Sequence, residues 1–331
     1  MSFNAILLAK DANTGFSASL NKINKQQLLA QEGDTLIEVQ YSSINYKDAL
    51  ALTNKSPIVR QWPMVPGIDG VGKVVECASG RYQQGDMVIL NGWGCGETHW
   101  GCLAQYTYLK SDWLIPLPNN LTPYQAMVIG TAGYTAALCV KRIVDFGVKP
   151  EPGKILVTGA SGGVGSIAIA LLAKLGYQVT ASTSKINDSD YLTGLGAVNI
   201  IDSQTLKLAG KPLQKELWSA VVDVVGSHTL ANVCAQTQYG GIVACCGLAQ
   251  GMDFPATVAP FILRGITLAG VDSVMASYDK RIAAWDLLSQ HLDGEILAHI
   301  GNTITLTECV DSANKMIAGQ IKGRFVVDVN Q

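Results

Sequence analysis

The stretch KILVTGASGGVGSIAIALLAKLG, residues 154–176, decides the fold of this chain. Its first five residues, KILVT, are typical of a buried strand, and a turn rich in glycine comes next. An apolar segment follows and continues to Leu175, as expected of a helix that packs on a sheet. Strand, glycine-rich turn and helix in this order predict the first βαβ unit of a dinucleotide-binding domain.

The turn runs from Gly159 to Gly165, and each of its small residues meets a separate requirement. On the G-x-G-x-x-G pattern, Ala160 is small enough for the tight turn, Gly162 lets a pyrophosphate approach the backbone, and Gly165 lets the helix lie against the strand. The free N–H groups at the helix N-terminus attract phosphate oxygens. We therefore predict a pyrophosphate site at this turn.

The end of the second strand, YQVTAS (177–182), indicates which nicotinamide cofactor is bound. An NAD-binding domain carries Asp or Glu there, about 20 residues after the glycines, to accept hydrogen bonds from the ribose hydroxyls. This chain has Ser182, Thr183, Ser184 and Lys185 at that position. Hydroxyl groups and a cation suit a 2′-phosphate, so NADPH is predicted, although Lys185 can also be read as a solvated loop lysine.

The residues on both sides of this unit predict an α/β fold with two domains. From residue 153 to residue 270 strands and helices alternate, which predicts a doubly wound parallel sheet of the Rossmann type. The first ~120 residues instead hold short β-branched runs separated by Gly, Pro, Asn and Asp, which predict a β-rich domain. We expect the C-terminal tail to complete that domain, giving 1–125 with 274–331 as one domain and 126–273 as the other.

Composition narrows the function classes. The 331 residues are 48% hydrophobic and 15% charged, with a net charge of -2, which gives no reason to expect a nucleic-acid partner. A helix is expected over residues 123–145, bent or broken around Gly133, but no stretch reaches ~18 uninterrupted apolar residues. The N-terminus does not resemble a signal peptide. We expect a cytoplasmic protein that does not enter a membrane, with its eight cysteines packed as small apolar residues.

The order of the two domains and five further stretches resemble the medium-chain dehydrogenase/reductase superfamily. Within it, the chain is similar to the acrylyl-CoA reductase branch, whose members are often labelled YhdH-type quinone oxidoreductases. The stretches that carry the resemblance are SSINYKDAL (42–50), PGIDGVG (66–72), NGWGCGETHWG (91–101), IGTAGYTAALCV (129–140) and PFILRGITLAGVDSV (260–274). The resemblance covers essentially the whole chain.

This resemblance implies a GroES-like catalytic domain, a Rossmann domain, a homodimer joined around Ile266–Gly270, and NADPH-dependent reduction of an α,β-unsaturated acyl-CoA. It implies pyrophosphate contacts from Ser161, Gly162, Gly163 and Val164, 2′-phosphate contacts from Thr183, Ser184 and Lys185, and nicotinamide contacts from Leu248, Ile262 and Ser273. It also implies that Tyr46 lies against the cofactor near the substrate. The family commonly has Gly-Arg at positions 184–185 and Arg at position 199, where this chain has Ser-Lys and Asn.

Zinc chemistry is not expected. Zinc-dependent members of the superfamily use a Cys and a His from the first domain, and this chain has Asn45 and Ile68 at those positions. A structural site needs four clustered cysteines, and only Cys95 and Cys102 lie in the corresponding stretch. We therefore predict a zinc-independent enzyme with no metal ligand.

The cofactor carries the hydride chemistry, so few side chains are required. Negative charge develops on the thioester oxygen, and Tyr46, with Asn45 beside it, is the candidate donor or positioning residue. An equally open alternative makes Tyr46 a structural tyrosine of the cleft wall. Thr131 is expected to brace the nicotinamide, whereas His99 is expected to be packed. Two other functions remain open: an NADPH:quinone reductase, and a non-catalytic NADPH-binding sensor that would bind NADPH without turnover.

Overall fold

The computed structural model describes residues 2–11, 15–151 and 153–331, apart from the side chain of residue 188. The first part of the described chain is mainly strand. Its elements are Ser2–Asp11 (β1), Gly15–Asn24 (β2), Lys25–Leu29 (α1), Thr35–Ile44 (β3), Tyr46–Leu52 (α2), Asp69–Cys77 (β4), Met87–Asn91 (β5), Tyr106–Leu109 (β6), Leu114–Pro116 (β7) and Pro123–Phe146 (α3).

Strands and helices alternate in the middle of the chain, and helices dominate the C-terminal part. The middle elements are Lys154–Val157 (β8), Gly163–Lys174 (α4), Gln178–Thr183 (β9), Ser189–Gly194 (α5), Ala197–Asp202 (β10), Gln204–Lys207 (α6), Trp218–Asp223 (β11), Ser227–Gln236 (α7), Thr237–Cys245 (β12), Ala259–Arg264 (α8) and Thr267–Gly270 (β13). The last elements are Tyr278–His291 (α9), Gly294–Ile300 (α10), Gly301–Thr305 (β14), Cys309–Ile317 (α11) and Arg324–Asp328 (β15).

The chain forms two compact units, and both are discontinuous in sequence. The first consists of Met1–Thr131, Val274–Ile282 and Leu297–Gln331. The second consists of Ala132–Ser273 and Ala283–Ile296, so it includes part of α9 as well as the expected nucleotide-binding segment.

A mixed sheet organises the first unit. Among the described residues its strand order is β14-β15-β3-β4-β5-β7, with β6 also paired to β3 and the β1–β2 hairpin forming a separate sheet. The pairs β3–β4, β4–β5 and β3–β15 are antiparallel, and β14–β15 is parallel. Inward side chains such as Val39, Ile44 and Val327 are almost completely buried. The expected β-rich first domain is confirmed, and its last strands come from the C-terminal tail.

In the part of the second unit that the structure describes, six parallel strands form one sheet in the order β10-β9-β8-β11-β12-β13. In chain order this is 3-2-1-4-5-6, the order of the doubly wound dinucleotide-binding fold. Leu156, Val221 and Val243, on three central strands, are fully buried, as the continuous apolar runs predict. The expected Rossmann sheet is confirmed.

The helix α3 breaks at Gly130, so the expected break at Gly133 was wrong. Gly130 has φ +49° and ψ -161°, and a Cβ there would lie 2.5 Å from the Asp69 carboxylate and 2.5 Å from the Arg324 guanidinium. Only glycine fits a positive φ at such a close approach. The position of the break is set by Asp69 and Arg324, which are distant in sequence, so the sequence of the helix alone does not indicate it.

The same helix is long and apolar enough, by length and composition, to cross a membrane. Of its most apolar window 78% is buried inside the protein. Burial of this extent is what the core helix of a soluble protein shows.

Candidate active site

The glycine turn after β8 takes its sharp bend at Gly159. Gly159 has φ +58°, whereas Ala160 is fully buried with no positive φ. The assignment of the tight turn to Ala160 was therefore wrong by one residue, because the left-handed backbone requires the residue without a Cβ. Gly165 has the expected part: a Cβ there would lie 2.4 Å from the Gly159 carbonyl oxygen and 2.7 Å from the Ala160 Cα.

The helix α4 begins directly after this bend, with Gly162 as its N-cap and no side chain capping it. Its first amide groups therefore remain available to an anion. A Cβ on Gly162 would meet only the Gly159 carbonyl oxygen, at 3.3 Å, so the turn itself does not fill the space above Gly162. The pyrophosphate of a dinucleotide fits these residues, with Ser161, Gly163 and Val164 completing the backbone that would face it.

The end of β9 lies beside this turn. The hydroxyl oxygens of Ser161 and Thr183 are 3.3 Å apart, and the amide of Lys185 donates to Thr183 Oγ1 at 3.0 Å. Ser161 and Thr183 are buried, Lys185 is half-buried and Ser184 is exposed. The structure thus brings together residues predicted to bind the pyrophosphate and residues predicted to bind a 2′-phosphate.

One acidic residue near this strand end was missed by the sequence reading. Asp202 ends β10 and stands opposite Thr183 in the parallel register, with its carboxylate accepting from the Gln204 amide at 2.9 Å. The distance rule for an acid on β9 does not find it, because the acid is on the neighbouring strand. Asp202 therefore adds a carboxylate beside the strand end that was predicted to bind the 2′-phosphate.

The remaining predicted cofactor residues of this unit differ in their surroundings. Ser273 follows β13 and its hydroxyl accepts from the hydroxyl of Thr135, 2.7 Å away. Leu248 follows β12 and is 56% exposed. The glycine turn and the ends of β9, β12 and β13 all lie at the carboxyl edge of the parallel sheet, where folds of this type bind their ligands. Ile262 is 73% exposed on α8 and does not follow a strand end.

Asp223, at the end of β11, is a further residue of this edge that the sequence reading did not single out. Asp223 is fully buried. Its carboxylate accepts hydrogen bonds from the Thr158 hydroxyl at 2.7 Å and from the Gly226 amide at 2.8 Å. Burial raises the pKa of Asp223, and these hydrogen bonds act against the rise. Because Thr158 in turn accepts from the Val224 amide at 3.1 Å, the carboxylate ties β8 to the loop after β11.

In the first unit, Asp69 is the centre of a buried polar cluster. Its fully buried carboxylate accepts from Ser43 Oγ and from Asn45 Nδ2, each at 2.7 Å. It also accepts from the Thr131 amide at 2.8 Å and from the Thr131 hydroxyl at 2.6 Å. The break at Gly130 releases the Thr131 amide from the helix, so Asp69 holds Thr131 and Asn45 in one place.

Arg324 supplies the positive charge of this Asp69 cluster. It is only 3% exposed and donates to Ser43 Oγ at 2.7 Å, to Asn45 Oδ1 at 2.9 Å and to Asp69 at 3.4 Å. Burial lowers the pKa of the Arg324 guanidinium, while the Asp69 and Asp48 carboxyl groups act in the opposite direction. The sequence reading missed Arg324, although a lone arginine that begins the apolar strand RFVVD is a signal that it needs a buried partner.

Asp48 holds the loop that precedes β4. One of its oxygens accepts from the amides of Gly67 and Ile68, and the other accepts from the Asn45 amide at 2.9 Å. Burial raises the pKa of Asp48 to about 6, the hydrogen bonds from Asn45 and Ile68 oppose this, and the Asp69 charge adds to it. Asp48 is thus a structural carboxylate at the start of α2.

The two predicted catalytic residues have different accessibility. Asn45 is 7% exposed and both ends of its amide are bonded within the Asp69 cluster. Tyr46 begins α2 and is 48% exposed. The Tyr46 side chain is therefore accessible from solvent, whereas Asn45 is held inside the Asp69 cluster.

The positions that carry zinc ligands elsewhere in the superfamily hold Asn45 and Ile68, neither of which is a usual zinc ligand. Across residues 2–11, 15–151 and 153–331, no three His, Cys, Asp or Glu side chains are grouped so as to hold a metal ion. Cys95 and Cys102 are buried free thiols. His99 is 8% exposed, and its Nδ1 and Nε2 lie 2.8 and 2.5 Å from backbone carbonyl oxygens.

Two family models match this chain. Residues 31–119 match the alcohol dehydrogenase GroES-like domain, and residues 163–290 match the domain described as zinc-binding dehydrogenase. The first match confirms the expected GroES-like domain, and the second includes α4 and the strand end at Thr183.

Three relatives and solved structures extend along almost the entire chain. The probable acrylyl-CoA reductase AcuI of Escherichia coli is 47% identical, over 95% of this chain and 96% of its own length. The YhdH oxidoreductase of Salmonella enterica, solved in complex with NADP, is 45% identical with a TM-score of 0.96, and the match covers 99% of this chain and 100% of that one. The Bacillus subtilis protein YhfP, solved with NAD bound, is 41% identical with a TM-score of 0.95 over 99% and 100%.

Proposed function

The chain belongs to the medium-chain dehydrogenase/reductase family, and within it we propose that it is an NADPH-dependent reductase of the activated C=C bond of an α,β-unsaturated acyl-CoA. The observation that carries the cofactor part is the pairing of the uncapped helix at Gly162 with the Ser161–Thr183–Lys185 strand end. The substrate part is supported by the 47% identity to the E. coli acrylyl-CoA reductase and 43% identity to that of Ruegeria pomeroyi.

In this proposal the residues of the turn bind and orient the cofactor. The amides of Gly163 and Val164 would hold the pyrophosphate, and Lys185 with Thr183 would hold the 2′-phosphate. Bound NADPH supplies a hydride from C4 of its nicotinamide to the β-carbon of the substrate. Leu248 and Ser273, near the carboxyl edge of the sheet, are the proposed neighbours of the nicotinamide, together with Ile262, which is exposed on α8.

The residues of the first unit would serve the substrate. Negative charge develops on the thioester oxygen, where a fixed hydrogen-bond donor lowers the barrier. The Tyr46 hydroxyl is the proposed donor, because Tyr46 is 48% exposed while the amide of Asn45 is already bonded. Asn45 is then a positioning residue, and Thr131 is held by Asp69 as the proposed brace of the nicotinamide.

Quinone reduction is the second candidate, favoured by one observation. The Bacillus subtilis protein YhfP, which is 42% identical over 98% of this chain, is provisionally named a quinone oxidoreductase. A quinone needs no contact for a nucleotide tail, whereas an acyl-CoA does.

A substrate panel decides between these functions. NADPH oxidation is followed with acrylyl-CoA, crotonyl-CoA, a benzoquinone and no acceptor, at equal enzyme concentration. We expect kcat/KM for acrylyl-CoA to exceed that for benzoquinone by at least about 100-fold. This ratio corresponds to a difference of about 2.7 kcal/mol in the free energy with which the enzyme stabilises the two transition states. A higher value for the quinone would overturn the acyl-CoA proposal, and NADPH binding without turnover of any acceptor would indicate a sensor.

We further propose a cytoplasmic homodimer joined along the outer edge of β13. This strand is last in the sheet order. Two apolar side chains of the preceding helix segment are exposed: Val258, the N-cap of α8, at 67% and Leu263, within α8, at 62%. Exposed apolar side chains beside an unpaired strand edge favour a protein partner. Leu263→Asp is expected to convert a dimer to a monomer in sedimentation velocity, whereas Leu208→Asp, 79% exposed elsewhere in the unit, is not. A wild-type monomer would contradict this proposal.

A further inference from the structure

A cavity beyond the C-terminal end of α2 has no part in the site described above. Its volume is about 280 Å³, and the side chains that matter for its chemistry are Lys10, Asn54, Lys55, Ser56 and Trp62. It lies within the first unit, between the end of β1 and the segment that follows α2. A cavity of this size holds part of a nucleotide more readily than a whole coenzyme.

The two lysines of this cavity differ from the other cations near α2. Lys47 and Arg60 both lie against the carboxylate of Glu97, at 2.5 and 3.9 Å. Neither Lys10 nor Lys55 has an acidic side chain within ion-pairing distance among the residues that the structure describes, and both are exposed. Two ammonium groups at one cavity without a carboxylate favour an anionic ligand.

The rest of the lining adds an aromatic surface and neutral hydrogen-bonding groups. Trp62 is half-buried and packs edge-on against Phe16, with ring centroids 6.2 Å apart, which fixes the plane of the indole. Asn54 and Ser56 provide amide and hydroxyl groups at the same cavity. Aromatic rings bind nucleobases by stacking, and ammonium groups bind phosphates, so this combination suits a phosphorylated nucleotide.

We propose that this cavity binds the 3′-phosphoadenosine end of the coenzyme A substrate, with the adenine against Trp62 and the phosphate between Lys10 and Lys55. This inference rests on the proposed acyl-CoA reductase function. The helix α2 is about 10 Å long, at 1.5 Å per residue, with Tyr46 at its beginning and the cavity beyond its end. The pantetheine arm that separates the thioester from the nucleotide would follow this helix.

A binding measurement tests the cavity without relying on turnover. Adenosine 3′,5′-bisphosphate is titrated calorimetrically into protein saturated with NADP⁺, so that the dinucleotide site is occupied. We expect saturable binding that weakens about three- to fivefold in each of Lys10→Ala and Lys55→Ala, the range for a partly exposed ion pair. Lys22→Ala, which removes an exposed lysine from the adjacent strand β2, is the matched control and should not change it. Equal binding by all four proteins, or none by the wild type, would overturn the proposal.

Steady-state kinetics separates this inference from the proposed function. Acrylyl-CoA is compared with acrylyl-pantetheine, which carries the same thioester but no nucleotide. Lys10→Ala/Lys55→Ala is expected to raise KM for acrylyl-CoA about tenfold or more with kcat unchanged, and to leave KM for acrylyl-pantetheine within about twofold. Lys55→Arg should restore most of the loss. If neither thioester is reduced while the bisphosphate still binds, the proposed function fails and the cavity is a site for a phosphorylated nucleotide only. Equal effects on both thioesters would refute the cavity assignment.

Discussion

The glycine turn of the second unit and the Asp69 cluster of the first unit differ in what fixes their geometry, which is the local backbone in the turn and contacts between side chains in the cluster. The turn is made of seven consecutive residues, Gly159 to Gly165, and presents backbone amides that a close approach of helix and strand leaves uncovered. The Asp69 cluster is made of side chains separated by up to 281 positions, and its charges are compensated only when Asp69 and Arg324 are both in place. The backbone of the glycine turn therefore tolerates substitutions elsewhere in the chain, whereas the Asp69 cluster depends on residues that are distant in sequence.

Removal of the buried cation should have the largest effect on stability. Arg324→Met leaves the Asp69 carboxylate buried without a positive partner, which costs about 3–5 kcal/mol of unfolding free energy. The measurement is urea denaturation at neutral pH, followed by circular dichroism. Arg81→Met is the matched control, because the Arg81–Asp112 ion pair is 36% and 83% exposed and contributes at most about 1 kcal/mol. Equal losses for the two variants would contradict the description of Arg324 as the charge partner of Asp69.

Two glycines of the turn should separate folding from cofactor binding. Gly165→Ala places a Cβ 2.4 Å from the Gly159 carbonyl oxygen, so we expect a loss of about 1–3 kcal/mol in unfolding free energy. Gly162→Ala meets that oxygen only at 3.3 Å and should lose less than about 1 kcal/mol, while its Kd for NADPH rises about tenfold or more. Thermal unfolding and fluorescence titration with NADPH measure the two quantities. The reverse assignment of effects would show that Gly162 does not face the pyrophosphate.

Lys185 provides the smallest and most selective change. Lys185→Ala removes a charge-assisted contact to the proposed 2′-phosphate, so KM for NADPH should rise about tenfold while KM for NADH changes less than about twofold. Lys154→Ala, at the opposite end of the sheet strand that leads to the turn, is the control. Asp202 lies opposite Thr183, and Asp202→Asn should therefore shift preference further toward NADPH. A parallel rise in both KM values for Lys185→Ala would argue against a 2′-phosphate contact.

The difference between the two regions also explains what could be predicted from sequence. The strand–turn–helix at 154–176 was predicted because its signal is local, and the error at Ala160 was a shift of one residue within the correct turn. Gly130, Arg324 and Asp202 were not foreseen, because each depends on a partner brought near by strand pairing or by a break in a helix. Charge and backbone geometry at such positions are properties of the assembled fold.

The zinc question illustrates the same division. The replacement of ligands by Asn45 and Ile68 was evident from sequence, because metal coordination requires particular residue types. The structural role of Asn45 is evident only in the structure, where its side-chain amide donates to Asp69 and accepts from Arg324. The sequence therefore supports the prediction of a zinc-independent enzyme, and the structure shows which residues hold Asn45 in place.

The destination of the hydride tests the central claim most directly. The protein is incubated with acrylyl-CoA and NADPH that carries deuterium at the transferable position of nicotinamide C4, and the acyl product is analysed by NMR and mass spectrometry. The proposed reductase should give propionyl-CoA with one deuterium at C3 and a solvent-derived proton at C2. Deuterium at C2, or NADPH oxidation without propionyl-CoA, would contradict hydride delivery to the β-carbon of an acyl-CoA.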